Sequence, residues 1–318
     1  MELLEFDFMQ RALVAALLVG LTAPAVGTFL VQRRLALVGD GMGHVALAGV
    51  AAGILTSTSP VWTALLAAIA GAVLIEVLRN RGRTSGDVAL AVLFYGGIAG
   101  GVVLISLSPN GSAANLTSYL FGAITTTTGS DLVVFAVLGV VVLATVLVLA
   151  PRLFAVSNDE EYARATGMNV LGLNLLLAVL TAVTVVVSMR VVGLLLISAL
   201  MIVPNAVAQQ VARSFRSTLM IAVAVGTVVS VVGVSASYYT NTPSGGTIVV
   251  LAIAVFAVTT ALSWAHRTWS AVRHPETEYH PHEHAPGCGH DVVPHGDHVD
   301  FVHDGHRHAA HGGHYDEH

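Results

Sequence analysis

Several apolar runs of this chain approach or reach the length that an α-helix needs to cross a lipid bilayer, about 20 residues. Hydrophobic residues make up 55% of the chain and charged residues only 10%, whereas soluble domains carry about 25% charged residues. Backbone polar groups inside a bilayer must be satisfied within the protein, and uninterrupted runs satisfy them as helices. The sequence therefore predicts an all-α polytopic membrane protein, with its clearest runs at 12–31, 62–78, 88–107, 132–150 and 248–264.

The connections between these runs predict a topology. All 14 basic residues are arginines. With nine spans, all of them except Arg11 and Arg190 lie on one side of the membrane, which the positive-inside rule identifies as cytoplasmic. The N-terminus is then outside and the C-terminal tail inside. Eight spans stay possible, because 41–57 is short and rich in glycine and 116–128 could be re-entrant or interfacial. The nine spans are 12–31, 41–57, 60–78, 88–107, 131–150, 170–189, 191–211, 217–236 and 247–266.

The absence of lysine excludes a conventional ATPase site in this chain. A P-loop needs a lysine on the β- and γ-phosphates, and the sequence contains none. If ATP drives this protein, another polypeptide must bind it and dock on a cytoplasmic surface. The predicted surface is the charged segment 157–168, read as a short helix with Ser157 or Asn158 as N-cap and Gly167 as C-cap. Its candidate docking residues are Asp159, Glu160, Glu161, Tyr162, Ala163, Arg164, Thr166 and Gly167. The alternative is an ordinary solvated loop.

Asp40 and His44 are ionisable residues inside an otherwise apolar region, and such residues are functional candidates by default. Residues four apart project from the same face of a helix, so one divalent cation could contact both side chains. Carboxylate and imidazole together suit zinc, manganese and other first-row metals. The alternative is an internal ion pair that satisfies both polar groups without a metal.

The composition changes near residue 272, where a histidine-rich tail begins. Thirteen of the 15 histidines lie in the last 45 residues, mixed with Pro, Gly and Asp. Such a segment has too few aliphatic residues for a core and is predicted to be disordered without metal. We divide the chain into a transmembrane domain, 1–272, and a tail, 273–318, that buffers or senses metal with flexible ligands; an incidental polar tail is the alternative. The candidate ligands are His280, His282, His284, Cys288, His290, His295, His298, His303, His306, His308, His311 and His314.

Four motifs in order make the chain resemble a known family: Gly39–Gly49, Ser118–Gly122, Asp159–Gly167 and Val192–Pro204, with a weaker one at Thr242–Gly246. They resemble the membrane permeases of ATP-binding-cassette importers for zinc and manganese, the metal-chelate type 3 family. The resemblance runs from about residue 10 to 268.

The resemblance implies a type II importer-like permease in the cell membrane, which is a transport subunit and not an enzyme. Two permease copies would form a homodimer, two cytoplasmic ATPase subunits would drive it, and an extracellular metal-binding protein or lipoprotein would deliver the ion. Asp40 and His44 would line the pathway, residues 159–167 would couple to the ATPase, and Pro204 would mark a kink. No tightly bound cofactor and no nucleic acid are expected.

Two departures from the family pattern stand out. The family often reads Asp-Ala-[Ile/Leu]-Ser-His where this chain has Asp40-Gly-Met-Gly-His44, so a hydroxyl near the metal pair is missing. Thr242 replaces the acidic residue that is common before Pro-x-Gly. We expect zinc ahead of manganese as cargo, because imidazole favours zinc. A secondary metal transporter and a membrane metal sensor are the rival classes.

Overall fold

The structure is a computed structural model that describes residues 5–80, 86–109, 113–123, 128–189, 191–194, 196–273, 289–296, 298–303, 306–311 and 314–317. The chain divides into two compact units, one ending at Ala257 and the other beginning at Val258. The predicted boundary near residue 272 stays a prediction.

Eleven helices are present in the described residues. Eight of them, α1, α2, α3, α4, α6, α8, α10 and α11, are long and apolar enough to cross a membrane, which confirms the predicted all-α polytopic architecture of eight to nine spans. The bounds are α1 Asp7–Gln32, α2 Val38–Leu55, α3 Pro60–Asn80, α4 Gly86–Ser106, α5 Ala113–Phe121, α6 Gly129–Asn158, α7 Glu160–Ala165, α8 Val170–Ser188, α9 Ile197–Val211, α10 Phe215–Thr240 and α11 Ser244–Arg273.

The first unit is built around α1. This helix packs against α6, α8, α9 and α10, and its small residues, such as Ala12, Ala16 and Ala23, are fully buried. The glycine-rich α2 packs against α3, α4 and α8. Helices such as α4 and α6 instead leave large apolar side chains exposed, among them Val92 and Val148. Exposed valines on long apolar helices are what a lipid-facing surface requires.

The predicted span 191–211 is helical only from Ile197 onward. The described residues before it, 191–194, are irregular, and Gly193 has a φ of +88°, a conformation that glycine adopts without strain. The N–H of Leu194 donates to the carbonyl of Tyr119 at 2.9 Å, and the Ser244 hydroxyl donates to the carbonyl of Val191 at 2.7 Å. Non-helical backbone is tolerated at membrane depth where other protein elements satisfy it in this way.

The described part of the tail forms a four-stranded antiparallel sheet in the order β1-β2-β3-β4. The strands are β1 Asp291–His295, β2 His298–His303, β3 His306–His311 and β4 His314–Glu317. The composition predicts a tail that is disordered without metal, and most of the described residues of the tail lie in these strands. Each pair of residues between successive strands contains a glycine, and such sequences favour hairpins.

Candidate metal site and coupling segment

Helix α2 carries Asp40 and His44 in a place where neighbouring backbones approach closely. A side chain at Gly97 of α4 would place its Cβ 2.5 Å from the carbonyl carbon of His44. On another side, a Cβ at Gly43 would lie 2.6 Å from the carbonyl oxygen of Leu194. Both distances are too short for a side chain, so these glycines allow α4 and the segment before α9 to enclose α2 at the height of His44.

The structure brings the two predicted ligands together. Nε2 of His44 lies 4.0 Å from Oδ1 of Asp40, and their side chains are 7% and 27% exposed. This distance is too long for a hydrogen bond but short enough for a shared cation. Phe94 packs edge-on against the imidazole, with ring centroids 4.2 Å apart, and the buried Nδ1 of His44 has no hydrogen-bond partner among the described residues. The ring is therefore held by packing rather than by a polar partner.

Ser198 of α9 is a third polar residue at this site and was not among the predicted site residues. Its hydroxyl lies 3.4 Å from Oδ1 of Asp40 and donates a long hydrogen bond to it. The family motif places a hydroxyl at the position of Gly43, where this chain has no room for one. Ser198 thus supplies a hydroxyl from a different helix. Its position within the motif Val192–Pro204 was the feature of the sequence that could have identified it as a site residue.

Asp40 faces an open pocket. The pocket is lined by α2 and α4, and its rim includes Leu37, which is 67% exposed, and Tyr95, which is 69% exposed. The remaining lining residues are Leu90, Ala91 and Phe94. An ion could therefore reach Asp40 from the pocket while His44 stays behind it in the protein interior. One chain offers two strong ligands here, fewer than the four of a tetrahedral zinc site.

The predicted coupling segment is a short helix, as expected, but its caps differ from the prediction. The carboxylate of Asp159 caps α7 by accepting the Tyr162 N–H at 2.9 Å, and the prediction of Ser157 or Asn158 was wrong because α6 continues through Asn158. Thr166 is the C-cap, and Gly167 follows with a φ of +80°. Asp159 accepts this N–H because an extended residue directly before a helix is well placed to do so.

Helix α7 presents one apolar side chain inward and charged ones outward. Ala163 is fully buried and packs with Val156 and Val170. Tyr162 is 63% exposed, and the Arg164 side chain, 67% exposed, pairs with Glu160 at 3.4 Å. Glu161 is also exposed. The segment 159–167 therefore has a fixed inner side and a free polar outer side.

A buried arginine connects α7 to the chain that leads into α2. Nη2 of Arg33 lies 3.3 Å from Oε2 of Glu160, and Nη1 donates to Oδ1 of Asn174 at 2.7 Å. Burial is the main cause that lowers the pKa of Arg33, followed by the charge of Arg79, while Glu76 and Glu160 act in the opposite direction. Arginine side chains are not deprotonated in proteins, so Arg33 stays charged.

The tail candidates fall into three groups. His280, His282, His284 and Cys288 lie outside the described residues. His303, His306, His308, His311 and His314 lie in strands, and His290 directly precedes β1. His295 and His298 come together with Asp300, an acidic residue that was not among the predicted ligands.

Three features define a polytopic membrane subunit of the transporter class: the long apolar helices, the pair of Asp40 and His44 beside an open pocket, and the capped segment between α6 and α8. The chain belongs to the ABC 3 transport family, whose sequence model matches residues 5–263. It is accordingly a membrane-embedded permease.

Two curated relatives have about the same length as the matched region. The manganese import system permease protein ScaB of Streptococcus gordonii is 30% identical over 80% of this chain and 91% of its own length. The high-affinity zinc uptake system membrane protein ZnuB of Buchnera aphidicola is 30% identical over 77% of this chain and 93% of its own length. The solved structure of PsaBC from Streptococcus pneumoniae in complex with Fab matches with a TM-score of 0.73 and 31% identity, over 81% of this chain and 92% of that one.

Proposed function

We propose that this chain is the permease of an ATP-driven importer of divalent metal ions, with zinc preferred to manganese. The observation that carries this proposal is the pair of Asp40 and His44 on one face of α2, with Oδ1 and Nε2 4.0 Å apart beside an open pocket. A carboxylate and a neutral imidazole are a ligand set for first-row divalent metals. Asp40 offsets part of the charge of the ion as it loses water.

A second permease copy would complete the ligand set. One chain supplies two ligands, and a twofold axis beside the pocket would double this to two carboxylates and two imidazoles, the number that tetrahedral zinc requires. The pocket rim supports this arrangement, because Leu37 and Tyr95 are exposed apolar side chains next to a charged one. A homodimer would cover that rim.

The direction of transport requires partners on both sides of the membrane. The relatives are named as parts of an import system and an uptake system, and this chain has no lysine for a P-loop. Cytoplasmic ATPase subunits would dock on residues 159–167, and an extracellular binding protein would deliver the ion. By the positive-inside rule, the arginine-rich connections favour a cytoplasmic position for the 159–167 segment and the tail.

The choice of zinc rests on ligand chemistry. The relatives named above include one for manganese and one for zinc. Imidazole suits zinc better than the harder manganese ion, which prefers oxygen ligands. A site with one imidazole per carboxylate, in a chain with 13 histidines in its last 45 residues, favours zinc.

Uptake of ⁶⁵Zn tests the proposal in cells that carry this permease with its ATPase and binding protein. We expect Asp40→Ala and His44→Ala to abolish uptake at matched membrane abundance, because each removes one of two ligands. Asp7→Ala is the control, since this carboxylate is 84% exposed at the start of α1, and it should transport normally. Excess manganese should compete weakly.

Two results would contradict the proposal in different parts. Normal uptake in both ligand variants would show that Asp40 and His44 are structural polar residues. The second result is loss of ⁶⁵Zn uptake on adding equimolar manganese, together with manganese accumulation that depends on Asp40. It would support the permease function but reverse the proposed preference for zinc over manganese.

A further inference from the structure

The three strand pairs of the tail sheet share one arrangement of histidines. Each pair of neighbouring strands ends in a directly paired histidine couple, His295 with His298, His303 with His306, and His311 with His314. The first couple is followed two residues later by Asp300, and the last by Asp316 in the same order. In the first turn Gly296 has a φ of +61°, which a tight hairpin turn requires.

Strand geometry places three side chains of the first turn on one face. Residues two apart in a strand share a face, and directly paired residues do as well. His298 and Asp300 are two apart in β2, and His295 is the partner of His298. Their potential ligand atoms all lie within 4.8 Å of one another. The hairpin therefore preorganises two imidazoles and one carboxylate.

Asp300 is the unusual member of this group, because its side chain is fully buried. Neither of its carboxylate oxygens has a hydrogen bond within the described part of the chain. Oδ2 lies 3.3 Å from Nδ1 of His295, and Oδ1 lies 3.4 Å from Nε2 of His298. A buried carboxylate needs a compensating positive charge, and a bound divalent cation would supply it.

We propose that His295, His298 and Asp300 bind one divalent metal ion of the zinc class. Two ligand atoms on a tetrahedral zinc ion, each about 2.1 Å from the metal, lie about 3.4 Å apart. This spacing is close to the distances from Nδ1 of His295 to Oδ2 of Asp300 and from Nε2 of His298 to Oδ1 of Asp300. Three protein ligands leave one coordination position for water or an exchanging ligand, as in open zinc sites. The site is separate from Asp40 and His44 and does not rest on the proposed transport function.

A flexible tail would bind metal through the number of its imidazoles, whereas the hairpin offers one site of defined composition. A flexible tail selects metals by availability. A preorganised site with a buried acidic ligand loses less conformational entropy when it binds and should be the tightest in the tail. The two descriptions therefore predict different effects of Asp300.

Zn²⁺ titration of the full-length protein in lipid nanodiscs, freed of metal with a chelator, tests the site by isothermal calorimetry. The test variants are Asp300→Asn and the double variant H295Q/H298Q. The matched controls are Asp291→Asn, which changes an exposed carboxylate of β1 outside the cluster, and H282Q/H284Q, which removes two histidines before the sheet. Outer-shell changes at metal sites cost about 10–100-fold in affinity, so loss of a ligand should weaken the tightest Zn²⁺ site at least about tenfold.

We expect both test variants to lose this site and both controls to keep it. Asparagine is a near-isosteric replacement for Asp300, and His295 is half exposed, so the double variant covers the case in which the buried substitution disturbs the sheet. Equal losses for H295Q/H298Q and H282Q/H284Q would show binding by imidazole number alone and overturn the proposal. Unchanged titrations in both test variants would overturn it as well. Uptake does not enter this measurement, so its outcome is independent of the transport experiment.

Discussion

Arg33 and Glu160 form an ion pair that joins the connection between α1 and α2 to helix α7, with Nη2 of Arg33 3.3 Å from Oε2 of Glu160. The connection itself is tight: the Leu35 N–H donates to the Leu30 carbonyl at 2.9 Å, and the Val38 N–H donates to the Leu35 carbonyl at 3.1 Å. Asp40 is the third residue of α2, which begins at Val38. If an ATPase docks on α7 as proposed, a displacement of α7 would reach the N-terminus of the helix that carries the candidate metal ligands.

Arg33→Gln should uncouple ATP hydrolysis from transport. The side chain of Arg33 is 7% exposed, and breaking a buried charge pair is costly because the remaining charge stays buried. Glu160 is 39% exposed, so water offsets part of the loss and we expect destabilisation of about 1–2 kcal/mol. Uptake of metal per ATP hydrolysed, measured in proteoliposomes with the partner subunits, should fall.

Arg164→Gln is the matched control for this prediction. Arg164 pairs with the same Glu160 at 3.4 Å, but its side chain is 67% exposed, and exposed pairs contribute little. Its ratio of uptake to hydrolysis should stay near that of the wild type. Equal defects in the two variants would show that Glu160 acts through α7 alone and that Arg33 carries no coupling.

Gly97→Ala should displace α4 from α2 and reduce uptake. The added Cβ would lie 2.5 Å from the carbonyl carbon of His44 and 2.6 Å from its carbonyl oxygen, and backbone atoms cannot rotate away. Overpacking of this kind costs about 1–3 kcal/mol. Thermal unfolding in detergent and ⁶⁵Zn uptake are the two measurements.

The neighbouring glycine provides the control. A Cβ at Gly96 meets nothing within 4 Å, so Gly96→Ala should unfold at the wild-type temperature or slightly above it, because alanine favours the helix. If both alanine variants behaved alike, close packing of α2 and α4 at His44 would not matter for the site.

The sequence was sufficient to predict the structural features that depend on the spacing of residues close together in the chain. Long apolar runs gave the helical membrane architecture, and the interval between Asp40 and His44 placed both side chains on one face of a helix. The helix at residues 160–165 followed from acidic residues near its start and the glycine at 167, which has a positive φ in the structure. Each of these features lies within one helical element and its caps.

Contacts between distant parts of the chain could not be predicted in the same way. Ser198 lies 158 positions from Asp40, and Arg33 lies 127 positions from Glu160. Asp300 was missed for a different reason: in a tail assumed to have no strands, nothing distinguishes one acidic residue from another. The pairing of β1 with β2 turns His295, His298 and Asp300 into neighbours on one face.

Ser198→Ala should weaken the metal site without destroying it. The serine hydroxyl donates to Oδ1 of Asp40 at 3.4 Å, which is long for a hydrogen bond. Changes beside a metal ligand typically cost about 10–100-fold, and the length of this contact places the effect at the low end, about tenfold in the apparent KM for ⁶⁵Zn uptake. The maximal rate should change little, since both ligands remain.

Ser235→Ala controls for the loss of a hydroxyl in a membrane helix. The Ser235 hydroxyl donates to the carbonyl of Val231 within α10 at 2.8 Å and does not contact the candidate site. Its KM should equal that of the wild type. A maximal rate that falls in Ser198→Ala while KM is unchanged would assign Ser198 to helix packing instead of to Asp40.

Asn205→Ala should loosen the packing of α9 against α1. The fully buried amide of Asn205 donates to the carbonyl of Pro24 at 3.0 Å, and its Oδ1 accepts the Thr28 hydroxyl at 2.7 Å. Interhelical hydrogen bonds in membranes contribute about 0.6–2 kcal/mol, so the variant should unfold at a lower temperature.

A double-mutant cycle separates the hydrogen bond between Asn205 and Thr28 from the other effects of each substitution. Thr28→Val alone should cost less than Asn205→Ala, because the Asn205 amide keeps its own hydrogen bond to the Pro24 carbonyl in that variant. Residues in one hydrogen-bond network couple by about 0.5–3 kcal/mol, so the double variant should be less destabilised than the sum of the single variants. Strict additivity would mean that Asn205 stabilises the α1 and α9 interface through the Pro24 carbonyl alone.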